Sequence, residues 1–195
     1  HRLALYRDTV PHDGYRLLLD WCRAKPRGGF VFTSNVDGLF HKAGFGGEQV
    51  FECHGSIHHL QCLDDCRGAI WRADGFTPAI DAARCRMTAP PPTCPACGTL
   101  ARPNILMFGD WEWLDTRAAL QRAQLHAWLE TVDAPVVVEL GAGTAIPTVR
   151  AFGEEIGAPL IRINPTEPAL GRARGVALAM GALAALRGID AALRR

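Results

Sequence analysis

Two close pairs of cysteines constrain the fold of this chain more than any other feature of its sequence. Cys62 and Cys66 form a C-x3-C pair, and Cys94 and Cys97 form a C-x2-C pair. At such spacings two tight turns can present four thiolates to one tetrahedral zinc ion. Four thiolates leave no open position for water, so the sequence predicts one structural zinc ion per chain. The alternative is four ordinary buried thiols.

The segment between the cysteine pairs differs in character from the rest of the chain. Residues 62–98 show little periodicity and end in "PPPTCPACG". Such a segment buries too little apolar surface to fold alone, whereas a bound metal would supply the missing free energy. We therefore expect a zinc-binding module at 62–98 and one larger domain built from 1–61 and 99–195.

Strands and helices alternate along the larger domain. The periodicity predicts a helix over Asp13–Arg23, then further helices in "GLFHKAG", "LDTRAALQRAQLHAWLE", "VRAFGEEIG" and the Ala/Leu-rich last segment. Strands are expected in "FVFTSNVDG", "QVFECHG", "ARPNILMFGD", "PVVVELGAG" and "PLIRINP". This alternation indicates an α/β fold with a parallel sheet covered by helices on both faces.

Charge and composition exclude several classes of function. The chain has 21 basic and 20 acidic residues and a formal net charge of +1, which gives no electrostatic reason to bind nucleic acid or an anionic membrane. No apolar run reaches the roughly 18 residues of a spanning helix. A secretory pattern is absent from the N-terminus, so we expect a cytoplasmic protein whose cysteines bind metal or stay as thiols.

The remaining cysteines have less specific interpretations. Cys22 lies in an apolar helical segment and is expected in the core. Cys53 neighbours His54, but adjacent residues of a strand point to opposite faces, which disfavours a nucleophile–base pair. Cys85 could replace one of the four zinc ligands. His58 and His59 are expected to pack or to face solvent, although they could border a site.

Polar or glycine-rich segments end four of the expected strands. They are "TSNVD" (33–37), "CHGS" (53–56), "GAGT" (141–144) and "INP" (163–165). Ligands of open parallel sheets bind where the carboxyl ends of the strands converge. Asn35 and Asp37 could orient a ligand, and His54 could act as a general base, but each could also only cap a turn or pack.

Taken together and in order, these segments resemble the sirtuins, the NAD-dependent protein deacylases of the silent-information-regulator family. "TSNVDGLFHKAG" is similar to the family's T-Q-N-[IV]-D-x-L-H-x-x-A-G block, and "ECHGSIHHLQC" to its E-x-H-G-x-x-x-x-x-x-C block. "CPACGTLARPNILMFGD" is similar to C-P-x-C-G-x-x-x-R-P-x-[IV]-V-x-F-G-E. The resemblance covers nearly the whole chain and implies a Rossmann-like domain with a small zinc-binding module.

The resemblance also implies roles for individual residues. His54 would be the base that activates the nicotinamide-ribose hydroxyls, and Asn35 would also orient the ribose and the attacking oxygen. An acylated lysine peptide would add as a strand at Met107, Phe108 and Gly109. The residues expected to contact NAD are Thr33, Ser34, Asn35 and Asp37 on the nicotinamide side and Gly141, Ala142, Gly143 and Asn164 on the adenosine side.

The implied reaction transfers the acyl group of the lysine to ADP-ribose and releases nicotinamide. Several residues depart from the family pattern: Ser34 stands for Gln, Phe40 for His, Asp110 for Glu, and Ala142-Gly143 for Thr-Ser. The family's N-terminal G-A-G-x-S…G-I-P-D-F-R block has no counterpart, and we expect residues upstream of His1. The abundance of Ala and Arg suggests a bacterial source.

Two other functions remain open from the sequence. The same cleavage of NAD with a different nucleophile would make the protein an ADP-ribosyltransferase or an NAD hydrolase. A zinc-stabilised module that binds a peptide or a nucleotide without turnover is the third possibility.

Overall fold

A computed structural model describes all 195 residues of this protein. Local sequence signals determine where its helices begin and end. The helix α2 covers Asp13–Arg23 as predicted, and the His12 ring accepts a hydrogen bond from the Gly14 N–H at 3.0 Å, which caps its first turn. The other helices are α1 (Arg2–Asp8), α3 (Leu39–Lys42), α4 (Thr116–Leu129), α5 (Thr148–Glu155) and α6 (Ala182–Leu193), with a 3-10 turn at Gly47–Gln49.

Parallel strands form the larger domain. β1 (Val31–Thr33) pairs with β2 (Val50–Glu52), and β8 (Val137–Leu140), β9 (Leu160–Ile163) and β10 (Gly175–Leu178) form a second sheet in the order β10-β9-β8. In each sheet the strands run in one direction, so the polar segments that follow β1 and β2 leave the same end, as do those that follow β8 and β9.

Antiparallel strands connect this domain to the cysteine-rich segment. β3 (Gly55–Cys62) lies between β4 (Ile70–Arg72) and β7 (Ala101–Ile105), and β5 (Ile80–Asp81) pairs with β6 (Arg86–Met87). The expectation that "ARPNILMFGD" belongs to the parallel sheet is therefore wrong. The chain reverses direction between the two cysteine pairs, so β7 returns alongside β3 in the opposite direction.

The expectation of a helix over the whole Ala/Leu-rich last segment is also wrong. Residues Gly175–Leu178 form β10, and α6 begins only at Ala182. β9 offers an unpaired edge to this stretch, and a Cβ at Gly175 would lie 1.8 Å from the Leu160 carbonyl oxygen, so glycine permits the close pairing. Gly181 stands at the N-terminus of α6.

Helices cover the parallel strands on two faces. α2 packs against α6, where the Trp21 indole N–H donates to Asp190 at 3.0 Å, while α4 packs on β2 and α5 on β8. Phe32 of β1 stacks on Phe152 of α5 with ring centroids 4.1 Å apart, which links the two parallel sheets. The α/β class with helices on both faces and a small cysteine-rich module is confirmed. None of the helices has both the length and the apolar character needed to cross a membrane.

A buried ion pair joins β8, β9 and α5. The Arg162 guanidinium donates to both carboxylate oxygens of Glu139 at 2.6 and 2.9 Å, and the side chains of both residues are 1% exposed. Arg162 also donates to Glu154 at 2.8 Å and to the Ala169 carbonyl at 2.6 Å. Its donors are thus distributed over three neighbours, which offsets the cost of removing the charge from water.

Breaking this pair should destabilise the protein strongly. In Arg162→Leu the Glu139 carboxylate stays buried without its partner, and we expect the free energy of unfolding to fall by about 3–5 kcal/mol. Urea denaturation followed by circular dichroism measures this change. Arg187→Leu removes an exposed pair with Asp13 and should leave the unfolding midpoint nearly unchanged. An equal decrease of the free energy of unfolding in both variants would contradict a large contribution of the buried pair to stability.

Candidate active site and zinc centre

Four cysteine sulfur atoms meet at one end of the β3-β7 sheet. Cys62 ends β3, and the Sγ atoms of Cys62, Cys66, Cys94 and Cys97 all lie within 4.8 Å of one another. The Cys62–Cys97 and Cys66–Cys94 separations are 3.6 and 3.7 Å. Sulfur atoms at about 2.3 Å from a tetrahedral zinc ion lie about 3.8 Å apart, so these four residues fit the predicted structural ion.

The surroundings of this cluster support zinc binding. Hydrogen bonds from the backbone and side chain of Thr99 lower the pKa of the Cys97 thiol to about 6, while hydrogen bonding with Cys97 raises that of Cys66 to about 12. Without a metal, Cys97 is therefore the member of this pair that favours the thiolate. Cys85 is exposed and lies outside the cluster, so it is not needed as a ligand.

Short hydrogen-bonded turns place the first group of predicted site residues at the ends of β1 and β2. The Thr33 hydroxyl accepts from the Asn35 N–H at 3.1 Å, and the Thr33 carbonyl accepts from the Cys53 N–H at 2.9 Å. These contacts hold the turn that carries Ser34 and Asn35 against the start of the segment that carries His54. Asn35 is exposed and His54 is half-buried.

Two glycines are required by the shape of this region. At Gly55 (φ +81°) a Cβ would lie 2.1 Å from the Asn104 carbonyl oxygen of β7, and at Gly38 (φ +71°) it would lie 2.6 Å from the His58 ring. His58 in turn donates from Nε2 to the Asp37 carbonyl at 2.8 Å. His58 therefore packs under the Asp37 turn, and the close approach of β7 positions His54.

The side chains of His54 and Asn35 make no hydrogen bonds within the chain, although the Asn35 N–H and the His54 carbonyl are both hydrogen-bonded. Burial lowers the pKa of His54 below its ordinary value, so the imidazole is neutral at neutral pH. Asp37 uses one carboxylate oxygen to accept from the Leu39 N–H at 3.0 Å and keeps the other free. These groups are available to a ligand.

Cys53 does not behave as a nucleophile. Burial raises the pKa of its thiol to about 12, so the thiol stays protonated at neutral pH. Cys22 is also partly buried with a raised pKa, as expected of a core residue.

The second group of predicted site residues lies at the ends of β8 and β9. The Asn164 side chain donates to the Ala142 carbonyl at 3.0 Å and accepts from the Thr166 and Glu167 N–H groups at 3.0 and 2.9 Å. Asn164 thus shapes the turn with both the oxygen and the nitrogen of its amide, and it is 5% exposed. Gly141 has a φ of +67° with open space where a Cβ would lie, so its backbone can be approached closely.

Sequence reasoning missed two residues of this second group. The Glu167 carboxylate accepts from the hydroxyl and the N–H of Thr144, which faces it from the "GAGT" turn. The Arg150 guanidinium donates to the Ala142 carbonyl at 2.9 Å and to the Glu167 carbonyl at 2.6 Å. The position of Glu167 shortly after the polar end of β9 is the one sequence signal that could have indicated its place in this group; Arg150 has no such signal.

The two groups remain separate in their hydrogen bonding. No hydrogen bond joins residues 33–37 or 53–56 to residues 141–144 or 164–167; the Phe32–Phe152 stack connects the strands behind them. Free polar side chains in the first group and open glycine backbone in the second are suited to the two ends of a dinucleotide. The residues present therefore fit NAD.

The predicted peptide edge is a turn. β7 ends at Ile105, and the Leu106 N–H donates to the His54 carbonyl at 3.0 Å. The Met107 N–H donates to the Asp110 carboxylate at 3.3 Å and the Met107 carbonyl accepts from the Asp110 N–H at 3.3 Å, while Arg102 pairs with Asp110. Phe108 is 89% exposed, and the N–H groups of Phe108 and Gly109 donate to no group of the chain.

Comparison with known proteins identifies this arrangement. Residues 2–145 match the model of the Sir2 family. An NAD-dependent protein deacylase of Deinococcus radiodurans is 35% identical over an alignment of 166 residues that covers 82% of this chain and 61% of the relative. A probable bifunctional ADP-ribose hydrolase/ADP-ribosyltransferase of Fusarium oxysporum is 34% identical over 155 residues, covering 72% of this chain and 25% of that protein.

The structural comparison agrees on the fold. The solved complex of a Sir2 homolog with NAD superposes with a TM-score of 0.69 at 21% identity and covers 97% of this chain and 67% of the other. At this identity the likeness concerns the fold alone. The chain spans about three fifths of the length of the deacylases it matches.

Removal of the metal should unfold the module. We expect elemental analysis to find about one zinc ion per chain. In Cys94→Ser the site has one ligand fewer, so this variant should lose the ion, and the backbone N–H groups of β3 and β7 should exchange faster with solvent. Cys85→Ser is the matched control and should keep both. Equal zinc content in the two variants would show that Cys94 is not a ligand.

Proposed function

Because the chain belongs to the Sir2 family, we propose that it acts as an NAD-dependent protein-lysine deacylase that transfers the acyl group to ADP-ribose and releases nicotinamide. The observation that carries this proposal is the free imidazole of His54, neutral and half-buried at the carboxyl end of β2 beside the Asn35–Asp37 turn. The name of the Deinococcus relative gives the same activity.

His54 is proposed as the general base. A neutral imidazole with a nitrogen that no protein group occupies can accept a proton from a ribose hydroxyl. Its backbone is fixed from both sides, by the Cys53 N–H on the Thr33 carbonyl and by the Leu106 N–H on the His54 carbonyl. The point from which the ring projects is therefore fixed, and its nitrogens remain free for a ligand.

Asn35 and Asp37 are proposed to orient the reacting groups. The Asn35 amide can donate to a ribose oxygen and accept from an attacking water. The free carboxylate oxygen of Asp37 can accept from the amide of nicotinamide, while its bonded oxygen keeps the side chain in place through the Leu39 N–H. Thr33 and Ser34 would complete this side of the site.

NAD, when bound, supplies an electrophilic ribose carbon with nicotinamide as its leaving group. On the adenosine side, the backbone of Gly141 and Gly143 is proposed to approach the ligand closely. Ala142 and Asn164 would act mainly by holding this turn, since the Asn164 side chain already bonds to the Ala142 carbonyl. The Thr144–Glu167 pair closes the turn from its outer side.

The proposed substrate is an acylated lysine in a peptide or protein. The unpaired N–H groups of Phe108 and Gly109 would donate to the peptide backbone, with Met107 shaping the same turn. The net charge of +1 favours a protein substrate over nucleic acid.

A four-thiolate zinc site is suited to a reducing compartment, so we place the protein in the cytoplasm.

Transfer of ADP-ribose to a protein, or hydrolysis of NAD, is the second candidate. It is favoured by the name of the Fusarium relative and by Ser34 and Ala142-Gly143, which depart from the sirtuin pattern. Binding of a peptide or nucleotide without turnover would be the remaining function if NAD is never cleaved.

Release of nicotinamide tests the proposal. The protein expressed from its complete reading frame should release nicotinamide from NAD only with an acyl-lysine peptide, and His54→Ala should lower kcat/KM by roughly 10²–10⁴-fold because the base is lost. His126→Ala, which changes an exposed histidine of α4, is the control and should keep full activity. Cleavage without peptide would instead support ADP-ribosyl transfer or hydrolysis.

The pH profile tests the assigned state of His54. Its pKa lies below the ordinary value of 6.5 because burial disfavours the charged ring, so the base stays neutral as the pH falls through 6.5. We expect kcat/KM for nicotinamide release to hold at pH 6.5 and to decline only below it. A half-maximal rate at or above pH 6.5 would contradict this assignment.

A further inference from the structure

Unpaired buried nitrogen atoms gather around one cavity of this protein. Six side-chain nitrogens of the chain are buried without a hydrogen-bond partner, and three of them belong to residues that line a cavity of about 640 Å³. One of the three, His41 Nε2, faces the Glu52 carboxylate at 3.5 Å, whereas His59 Nδ1 and Arg117 Nη1 have no partner. Residues of α1, α3, α4, β3 and β4 form its walls. Buried polar groups are almost always paired, so His59 Nδ1 and Arg117 Nη1 indicate a missing partner.

The cavity is also positively charged. Arg7, Lys42, Arg72 and Arg117 line it, and Asp37 is the only carboxylate among its lining residues. Arg72 and Arg117 are paired with Asp74 and Glu52, respectively, which lie outside the lining.

Two of these charges have no carboxylate to balance them. The Arg7 guanidinium donates to the Phe76 and Ala73 carbonyls at 2.7 and 2.6 Å, and the Lys42 ammonium donates to the Arg7 and Thr9 carbonyls at 2.6 and 2.5 Å. Carbonyl groups satisfy the geometry of these donors but carry no net charge. An anion in the cavity would be attracted by both side chains.

We propose that this cavity binds a small oxyanion ligand, a phosphorylated or polycarboxylate metabolite, at a site separate from the NAD cleft. Its oxygens would accept from Arg117 Nη1 and from the third ammonium proton of Lys42, and His59 Nδ1 would pair with a ligand hydroxyl or oxygen according to its tautomer. The volume lies in the range of metabolite sites and exceeds that of a free phosphate ion.

The proposal does not depend on the deacylase activity, but the two sites share a neighbour. Asp37 lines this cavity and also belongs to the turn proposed to face nicotinamide, where His58 donates to its carbonyl. The test must therefore separate an anion bound in the cavity from one bound in the NAD cleft.

Isothermal titration calorimetry with inorganic pyrophosphate and with citrate, at constant chloride concentration, provides this test. We expect saturable binding of at least one probe, weakened about tenfold or more in Lys42→Gln, which removes the charge but keeps a donor. Lys25→Gln is the matched control: Lys25 and Lys42 are the only lysines of the chain, and Lys25 is exposed and outside the cavity. Excess ADP-ribose should not displace the probe.

A second variant keeps the test decisive if Lys42→Gln loosens α1. His59→Leu removes the unpaired nitrogen with little change in size, and it too should weaken binding while the unfolding midpoint stays close to that of the parent. Absence of saturable binding, equal weakening in Lys25→Gln, or displacement by ADP-ribose would each overturn the proposal. Preference for pyrophosphate or for citrate identifies the class of metabolite.

Discussion

Four thiolates around one zinc ion are the interaction on which the candidate site depends. Between Leu63 and Leu100 only Ala73 and Cys94 are buried, so this segment has no apolar core of its own. A zinc ion held by these cysteines would tie the end of β3 to the segment that leads into β7, beside the backbone pairing of the two strands. β7 then brings the Leu106 N–H to the His54 carbonyl and the Asn104 carbonyl against Gly55. A metal bound by the four cysteines would thus help to position the proposed base.

Features that depend on local sequence patterns could be predicted, whereas features that depend on contacts between residues far apart in the chain could not. The zinc ligands and α2 follow from the spacing of cysteines and of apolar residues, and the structure has both as expected. The antiparallel direction of β7 and the strand β10 depend on which edge is free to pair, which no local pattern records. The pairing of Glu139 with Arg162 likewise depends on the β8-β9 register, which places the two residues opposite each other. Without that register, a charged residue in a strand would be predicted to face solvent.

The departures from the sirtuin pattern have physical consequences that the sequence did not reveal. Phe40, which stands for a histidine, packs edge-on against Tyr15 and Phe45, while His41 comes to 3.5 Å from the buried Glu52. On the other side, the Asn164 amide holds the Ala142 turn. Its side chain thus has a structural partner within the chain, which its position after a polar strand end does not reveal.

Two groups of strand ends, which share no hydrogen bond, are proposed to form one cleft for NAD. Hydrogen–deuterium exchange of the protein expressed from its complete reading frame, with and without ADP-ribose, tests this most directly. We expect slower exchange both in residues 33–38 and in residues 141–144 when ADP-ribose is present. Protection of one group alone, or of neither, would contradict the claim that they bind one dinucleotide together.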